Sequence, residues 1–271
     1  MRWAVAMDVD GTILTDDYAV LPEVRHEVQK ARSRGVLAIL VTARPRRSAI
    51  HILEDIGGVD VAICLGGALT LEFDQGVQAT GLIQDDQIIS ANHSAALIAD
   101  ARTSGVALAM YGEDGVYVDR LTPVLADQFR KTGLTCVEGD LLAVTDPTLK
   151  FLLIGDRGTL PAVERIRGRF DSELSCLYSH WNFLEISRKS VSKGIALERF
   201  CRARGISPEG LAAIGDSDND LSMFAFAGMP IAMGNAPDHV KQAARWVTAS
   251  NGEAGVAVAL RHCAETFWRA G

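Results

Sequence analysis

The chain has 271 residues, of which 48% are apolar and 23% charged, and its 27 basic against 34 acidic side chains give a formal charge of −7. This size and balance describe a globular protein of one large or two ordinary domains that buries its core without disulfide staples. With no basic field, the chain is expected to bind neither nucleic acid nor an anionic membrane, although a local cation still admits a small anionic substrate.

Trp3 to Met7 is uniformly apolar, as a central parallel strand should be. The run is too short for a signal peptide or a membrane span, so the cytoplasm is the expected compartment. Pro22 opens a helix to about Arg34, with Val24, Val28 and Ala31 on one face and Gly35 at its end. Val36 to Val41 is a second buried strand, Pro45 opens a second helix stopped by Gly57-Gly58, and Val61 to Leu65 is a third strand. This alternation predicts a doubly wound, Rossmann-like α/β core around a parallel sheet.

The pattern then changes. Leu69 to Phe73, Asp74-Gln75-Gly76 and Val77 to Leu82 read as a hairpin, followed by a helix from about Asp86 to Arg102. Val106 to Tyr111 and Val116 to Asp119 read as paired strands, then Phe151 to Ile154 as a strand, Leu160 to Phe170 as a helix and Leu174 to Ser179 as a strand. This order predicts an inserted α+β domain over 80–184, with the core formed by 1–79 and 185–271. From Phe183 the first pattern is expected to resume, with helices at Ser192 to Arg204, Asp218 to Phe226 and Gly255 to about Trp268, and strands at Leu211 to Ile214 and Met229 to Ala232. The five cysteines, Cys64, Cys136, Cys176, Cys201 and Cys263, are widely spaced with no CxxC pair, which predicts reduced thiols.

Asp8 and Asp10 directly follow the first strand. Ligands of open α/β sheets bind beyond the carboxyl ends of strands, and residues two apart on an extended segment face one side. Gly11 permits a tight backbone whose amides can point at an anion, and Thr12 adds a hydroxyl. Leu211 to Ile214 repeats the design, leading into Gly215-Asp216-Ser217-Asp218-Asn219-Asp220. Asp8, Asp10, Asp216 and Asp220 therefore offer oxygen ligands to one hard cation, for which magnesium is suited. Thr42 follows the second strand and Lys193 opens a helix; a hydroxyl and an ammonium are suitable phosphate ligands. Taken singly, Asp-x-Asp-Gly is a common turn, Thr42 a common cap and Lys193 a common surface residue, while Asp218 is expected to be only the N-cap of its helix. The combination, in consistent order, is far more specific.

These residues resemble the haloacid dehalogenase-like (HAD) hydrolases, and within them the Cof-type branch, whose type IIB cap is inserted between the second and third motifs. The matches are Asp8-Val9-Asp10-Gly11-Thr12, Thr42 in Val41-Thr42-Ala43-Arg44-Pro45, Lys193 in Ser192-Lys193-Gly194, and Gly215 to Asp220. Weaker matches are Ala232-Met233-Gly234-Asn235-Ala236 and Asn251 to Ala257. The resemblance implies that Asp8 is a nucleophile forming an aspartyl-phosphate, and that Asp10 protonates the leaving alcohol and then activates water. It implies phosphate binding by Gly11, Thr12, Thr42, Ala43, Arg44, Lys193 and Asn219. Magnesium would be held by Asp8, the Asp10 carbonyl and Asp216, with Asn219 and Asp220 supporting the metal waters and Lys193. Two positions depart from the pattern: Ala43 replaces a usual Gly, and Gly66-Gly67 replaces Asn-Gly.

The inserted domain carries no distinctive motif. Lys150, His180, Trp181 and Asn182 are candidates for substrate contact because they lie at strand ends near the return to the core. The expected function is a magnesium-dependent phosphatase for a small phosphorylated metabolite such as a sugar phosphate, phosphoglycolate or a phosphorylated cofactor, acting as monomer or homodimer. The rival readings are a sugar phosphomutase using Asp8 and a non-catalytic metabolite-binding regulator.

Overall fold

A computed structural model describes residues 2–74 and 78–268. The chain divides into two compact units: Met1–Arg44, Ala49–Leu82 and Ser192–Gly271 form the first, and Pro45–Ser48 with Ile83–Val191 the second.

The first unit begins with β1 (Ala4–Met7), buried on both faces, and α1 (Pro22–Ser33), which starts at its proline and buries Val24, Val28 and Ala31. Then come β2 (Leu37–Val41), α2 (Arg46–Ile56), β3 (Val61–Cys64), β4 (Leu69–Asp74) and β5 (Gln78–Leu82). β4 and β5 pair antiparallel, as the hairpin reading requires, although the turn residues 75–77 lie outside the described residues.

The second unit contains α3 (Ala91–Ser104), β6 (Ala107–Tyr111), β7 (Val116–Val118), α4 (Pro123–Thr132), β8 (Val137–Glu138), β9 (Lys150–Ile154), α5 (Leu160–Phe170), β10 (Leu174–His180) and β11 (Phe183–Arg188). Its six strands run in the order β10-β11-β9-β6-β7-β8, antiparallel except for the β7–β8 pair. α3 starts five residues later than expected from Asp86, because the Ser90 side chain caps it by accepting from the His93 amide.

β11 also differs from the sequence reading, which returned the chain to the core at Phe183. Leu184 and Ile186 are buried while Glu185 and Ser187 are half-buried, an alternation of period two. The strand forms a hairpin with β10 and pairs antiparallel with β9, so it belongs to the second sheet and the unit extends to Val191.

The chain re-enters the first unit with α6 (Lys193–Ala203), β12 (Leu211–Gly215), α7 (Leu221–Phe226), β13 (Met229–Ala232), α8 (Asp238–Ala243), β14 (Trp246–Val247) and α9 (Gly255–Thr266). The eight-stranded sheet has the order β14-β13-β12-β1-β2-β3-β4-β5, and the six strands from β14 to β3 are parallel. Ala4, Ala6, Ile39, Val41, Ile63 and Ala213 pack with Leu197, Phe200 and Met223 of α6 and α7 on one face. α1 and α9 pack against each other and against β2 and β12. The order reverses between β1 and β12, which makes a crevice at the carboxyl ends of these two strands. Among the described residues no helix is long and apolar enough to cross a membrane.

Gly194 sets how closely α6 approaches α7. A Cβ there would stand 2.2 Å from the Ser222 carbonyl oxygen, and the Gly194 amide donates to Ser222 Oγ at 3.0 Å. Gly194→Ala must push two backbones apart, at a cost of about 1–3 kcal/mol. Calorimetry should show a lower unfolding midpoint; an unchanged one would contradict this close approach.

Candidate active site

The crevice collects charge from four chain segments. Asp8 extends β1 by one residue, its amide donating to the Ile214 carbonyl of β12 at 3.0 Å. The chain then turns at Gly11, whose φ is +78°, in the left-handed region that suits glycine. A Cβ on Gly11 would lie 2.4 Å from Asp216 Oδ2, so the first acidic loop passes directly against the second.

Asp216 follows β12 by one residue, matching Asp8 on its neighbour. Asp220 then folds back on the loop. Its Oδ2 accepts from the Asp216 and Ser217 amides, both at 3.0 Å, and from Ser217 Oγ at 3.1 Å. Ser217, rather than Asp218, is the N-cap here, and Asp218 is exposed and paired with His239 at 2.5 Å.

Lys193 links the acidic loops. It is the first residue of α6, which is capped by Ser192, and its side chain is almost wholly buried. Nζ donates to Asp8 Oδ1 at 2.5 Å and to Asp220 Oδ1 at 2.7 Å. Gly67 places the backbone beside this helix start: its φ is +115°, and a Cβ would be 2.4 Å from the Ser192 carbonyl oxygen. Gly66, at φ +67°, occupies a left-handed position that Asn also tolerates, so the departure from Asn-Gly leaves the backbone path intact.

One carboxylate oxygen each from Asp8, Asp216 and Asp220 can be chosen within 4.8 Å of one another. Three carboxylates against the single Lys193 ammonium leave a formal charge of −2. An all-oxygen donor set with that charge fits a hard divalent cation. Asp220 already accepts from Lys193 and the loop donors, so Asp8 and Asp216 have the greater remaining capacity for a metal.

Burial is the strongest influence on the Asp8 carboxyl and pushes it well above the usual Asp range; Lys193 pulls it down, while Asp220 and Asp216 push it up. Asp216 is also raised, again chiefly by burial, with the Thr12 hydrogen bond opposing. Burial alone would lower Lys193, but the charges of Asp8 and Asp220 outweigh it and hold the ammonium protonated.

The other expected residues take mixed places. Thr42 is fully buried after β2, and its Oγ1 accepts from the Arg44 amide at 3.1 Å. Ala43 is half-buried between them. The Thr12 hydroxyl donates to Asp216 Oδ1 at 2.9 Å, so it orients a carboxylate instead of standing open to an anion. Asn219 is exposed, its Oδ1 2.9 Å from Ser217 Oγ, whose single proton it shares with Asp220; Asp220, not Asn219, carries Lys193. The Arg44 guanidinium grips the Asp10 carboxylate, with Nε 2.9 Å from Oδ2 and Nη2 2.6 Å from Oδ1. The Asp10 side chain is thereby held outside the three-carboxylate group.

Two residues of the weaker motif matches, Asn235 and Asn251, anchor the loops. Asn235 Nδ2 donates to the Gly11 carbonyl at 2.8 Å, and its Oδ1 accepts from the Asn251 amide at 3.0 Å. Asn251 Nδ2 donates to the Leu14 carbonyl at 2.9 Å. Their signal in the sequence was an Asn just beyond a short buried strand and an Asn opening the final helical segment.

The candidates in the second unit do not form one group. Lys150 pairs in register with Ser187, whereas Phe183 pairs with Ile154, so Lys150 and the His180–Asn182 turn occupy opposite ends of β9. Lys150 is buried against Glu185 at 3.2 Å. His180 Nδ1 lies 2.8 Å from Asn182 Oδ1, Asn182 Nδ2 donates to the Gly155 carbonyl, and Trp181 is exposed at the tip.

A family model described as haloacid dehalogenase-like hydrolase matches residues 5–260. The 5-amino-6-(5-phospho-D-ribitylamino)uracil phosphatase YitU of Bacillus subtilis is 28% identical, over 96% of this chain and 96% of its own. The pyridoxal phosphate phosphatase YbhA of Escherichia coli is 29% identical, over 91% of this chain and 93% of its own. A crystal structure of a haloacid dehalogenase-like hydrolase from Bacteroides thetaiotaomicron superposes with a TM-score of 0.86 at 25% identity, over 97% of this chain and 99% of that one.

Proposed function

This chain belongs to the haloacid dehalogenase-like hydrolases, as a phosphatase of their Cof-type branch, and from that membership we propose that it hydrolyses a small phosphorylated metabolite through an aspartyl-phosphate on Asp8. The observation that carries this reading is the buried Asp8 carboxylate at the carboxyl end of β1, held by Lys193 at 2.5 Å beside Asp216. The relatives named above act, by their names, on phosphorylated small molecules.

In the first step an Asp8 oxygen attacks phosphorus, the bond to the leaving oxygen breaks, and Asp10 gives that oxygen a proton. In the second, water attacks the phosphorus of the aspartyl-phosphate while Asp10 takes its proton, returning Asp8 and releasing phosphate. Lys193 has three N–H donors and spends two on Asp8 and Asp220, which leaves one for a phosphoryl oxygen. The Thr42 hydroxyl, accepting from the Arg44 amide, keeps its own proton for another. Magnesium is the proposed cation, held by Asp8, Asp216 and the Asp10 carbonyl; when bound it neutralises charge where the carboxylate meets the phosphate.

The test is a panel of phosphate monoesters incubated with the protein and magnesium. Stoichiometric release of alcohol and free phosphate, abolished by chelation, is expected. Isomerisation of a hexose 1-phosphate without free phosphate would establish a mutase, and tight binding without turnover a regulator.

Magnesium is further expected to raise the unfolding midpoint, by about 2.7 kcal/mol of stabilisation at a hundred times its Kd. The metal-free native state holds the raised Asp8 proton more tightly than the unfolded chain does, so the Asp8 contribution to stability is lost as pH rises from the unfolded Asp value of about 3.9 toward the folded one. The magnesium-induced shift should therefore grow from mildly acidic to neutral pH. Asp216→Asn should raise the metal-free midpoint and shrink the shift; calorimetry showing an undiminished shift would remove Asp216 from the metal site.

A further inference from the structure

Asp10 needs to be aimed to handle a proton, yet its side chain is about half exposed (49%). What fixes it is Arg44, arriving from the end of a different strand. Nε and Nη2 reach one carboxylate oxygen each, at 2.9 and 2.6 Å, which locks the carboxylate plane to the guanidinium plane. Arg44 is itself supported. Its guanidinium carbon lies 5.7 Å from the centre of the Tyr18 ring.

Tyr18 is unusual in two ways. The residue is 61% exposed, so core packing does not explain it, and its φ of +59° is in the left-handed region that a bulky residue avoids. The turn enforces that conformation. The Tyr18 amide donates to the Thr15 carbonyl at 2.9 Å, and the Thr15 amide to the Ala19 carbonyl at 3.0 Å. Asn251 Nδ2 pins the same loop through the Leu14 carbonyl and, at 3.1 Å, Asp16 Oδ1. Backbone strain persists where surrounding structure over-determines it, and here it presents an aromatic face to Arg44.

We propose that Arg44, backed by Tyr18, is the positioning residue for Asp10 and acts on the leaving-group step rather than as a ligand of the phosphate. The inference rests on the reading of Asp10 as the proton donor. As the bond from Asp8 to phosphorus forms, the electron pair of the breaking phosphorus–oxygen bond passes to the leaving oxygen, which takes the Asp10 proton. Arg44 loses no proton. The fork occupies one lone pair of each Asp10 oxygen, so an outer lone pair remains to carry the proton in a fixed direction. Lysine would supply charge but no plane.

The experiment compares kcat/KM for p-nitrophenyl, phenyl and benzyl phosphate, three aromatic esters whose leaving oxygens need protonation to increasing extents. With Arg44→Ala, the loss on benzyl phosphate should exceed that on p-nitrophenyl phosphate by at least about tenfold. Asp10→Asn should show the same gradient more steeply, and Arg44→Lys and Tyr18→Leu a shallower one. A merely structural role would lower all three esters alike. Equal losses in Arg44→Ala, with a gradient retained in Asp10→Asn, would overturn the assignment of Arg44. Equal losses in Asp10→Asn would overturn the proton-donor reading beneath it.

Discussion

Asp8→Asn is expected to lower kcat for p-nitrophenyl phosphate by at least about 10⁴-fold, the order of loss seen when a nucleophile is removed. The substitution is nearly isosteric and replaces a charged nucleophile with a neutral amide. Its amide oxygen can still accept from Lys193, so the fold need not yield. Burial already pushes the Asp8 carboxyl upward, which means the site bears a charge there at a cost. The amide removes that cost, and the metal-free variant should unfold at the same temperature or higher. Steady-state kinetics beside calorimetry check both halves. Undiminished turnover would refute Asp8 as nucleophile, and collapse of the midpoint would show that the activity loss was structural.

Lys193→Met should instead damage both properties. Its ammonium is almost wholly buried and bonds two buried carboxylates, with Asp216 close by. Removing one partner of a buried charge pair costs about 3–5 kcal/mol, because the remaining charges lose their neutralisation. Activity should fall by about 10²–10³-fold, the usual effect of deleting one group that stabilises developing charge. Lys193 is held above its unfolded value of about 10.4, so its stabilisation is complete at neutral pH and is lost only as pH rises through the folded value. Adding Asp220→Asn should recover part of the midpoint and none of the activity. Equal midpoints for wild type and Lys193→Met, measured without metal, would contradict the charge bridge.

The parallel core was legible because its strands are apolar on both faces, Pro22 opens α1 and Gly35 closes it, and Pro45 and Gly57 bracket α2. The same signals mark α4: Thr122 accepts from the Leu125 amide, Pro123 follows it, and Gly133 closes the helix at φ +65°. For β11 the sequence is ambiguous: Phe183 and Leu184 are apolar, like the start of a core strand, whereas the alternation at Leu184, Glu185 and Ile186 marks a half-covered antiparallel strand. Short elements such as β8 and β14, each of two residues, owe their strand form to their pairing partners and leave little pattern of their own.

At the site, strand ends showed which segments carry chemistry, and their motifs brought Asp8, Lys193, Asp216 and Asp220 to one place. Sequence could not show how the hydrogen bonds would be divided. Thr12 and Asn219 were expected to serve an anion or a metal, but each has a nearer partner on the same loops. Arg44 was expected to face phosphate, yet a planar carboxylate within reach matches its donors on two atoms at once. The contribution of Tyr18 was beyond any pattern, since it depends on a left-handed turn in a residue type that rarely adopts one.

The most direct test of attack by Asp8 is to find the phosphoryl group on the protein. Wild-type protein mixed with magnesium and p-nitrophenyl phosphate, quenched in acid before the steady state and digested, should yield a peptide heavier by one phosphoryl group, with the modification on Asp8. Asp8→Asn should yield none. A phosphoryl group on a different residue, or none at any time while free phosphate accumulates, would contradict attack by Asp8.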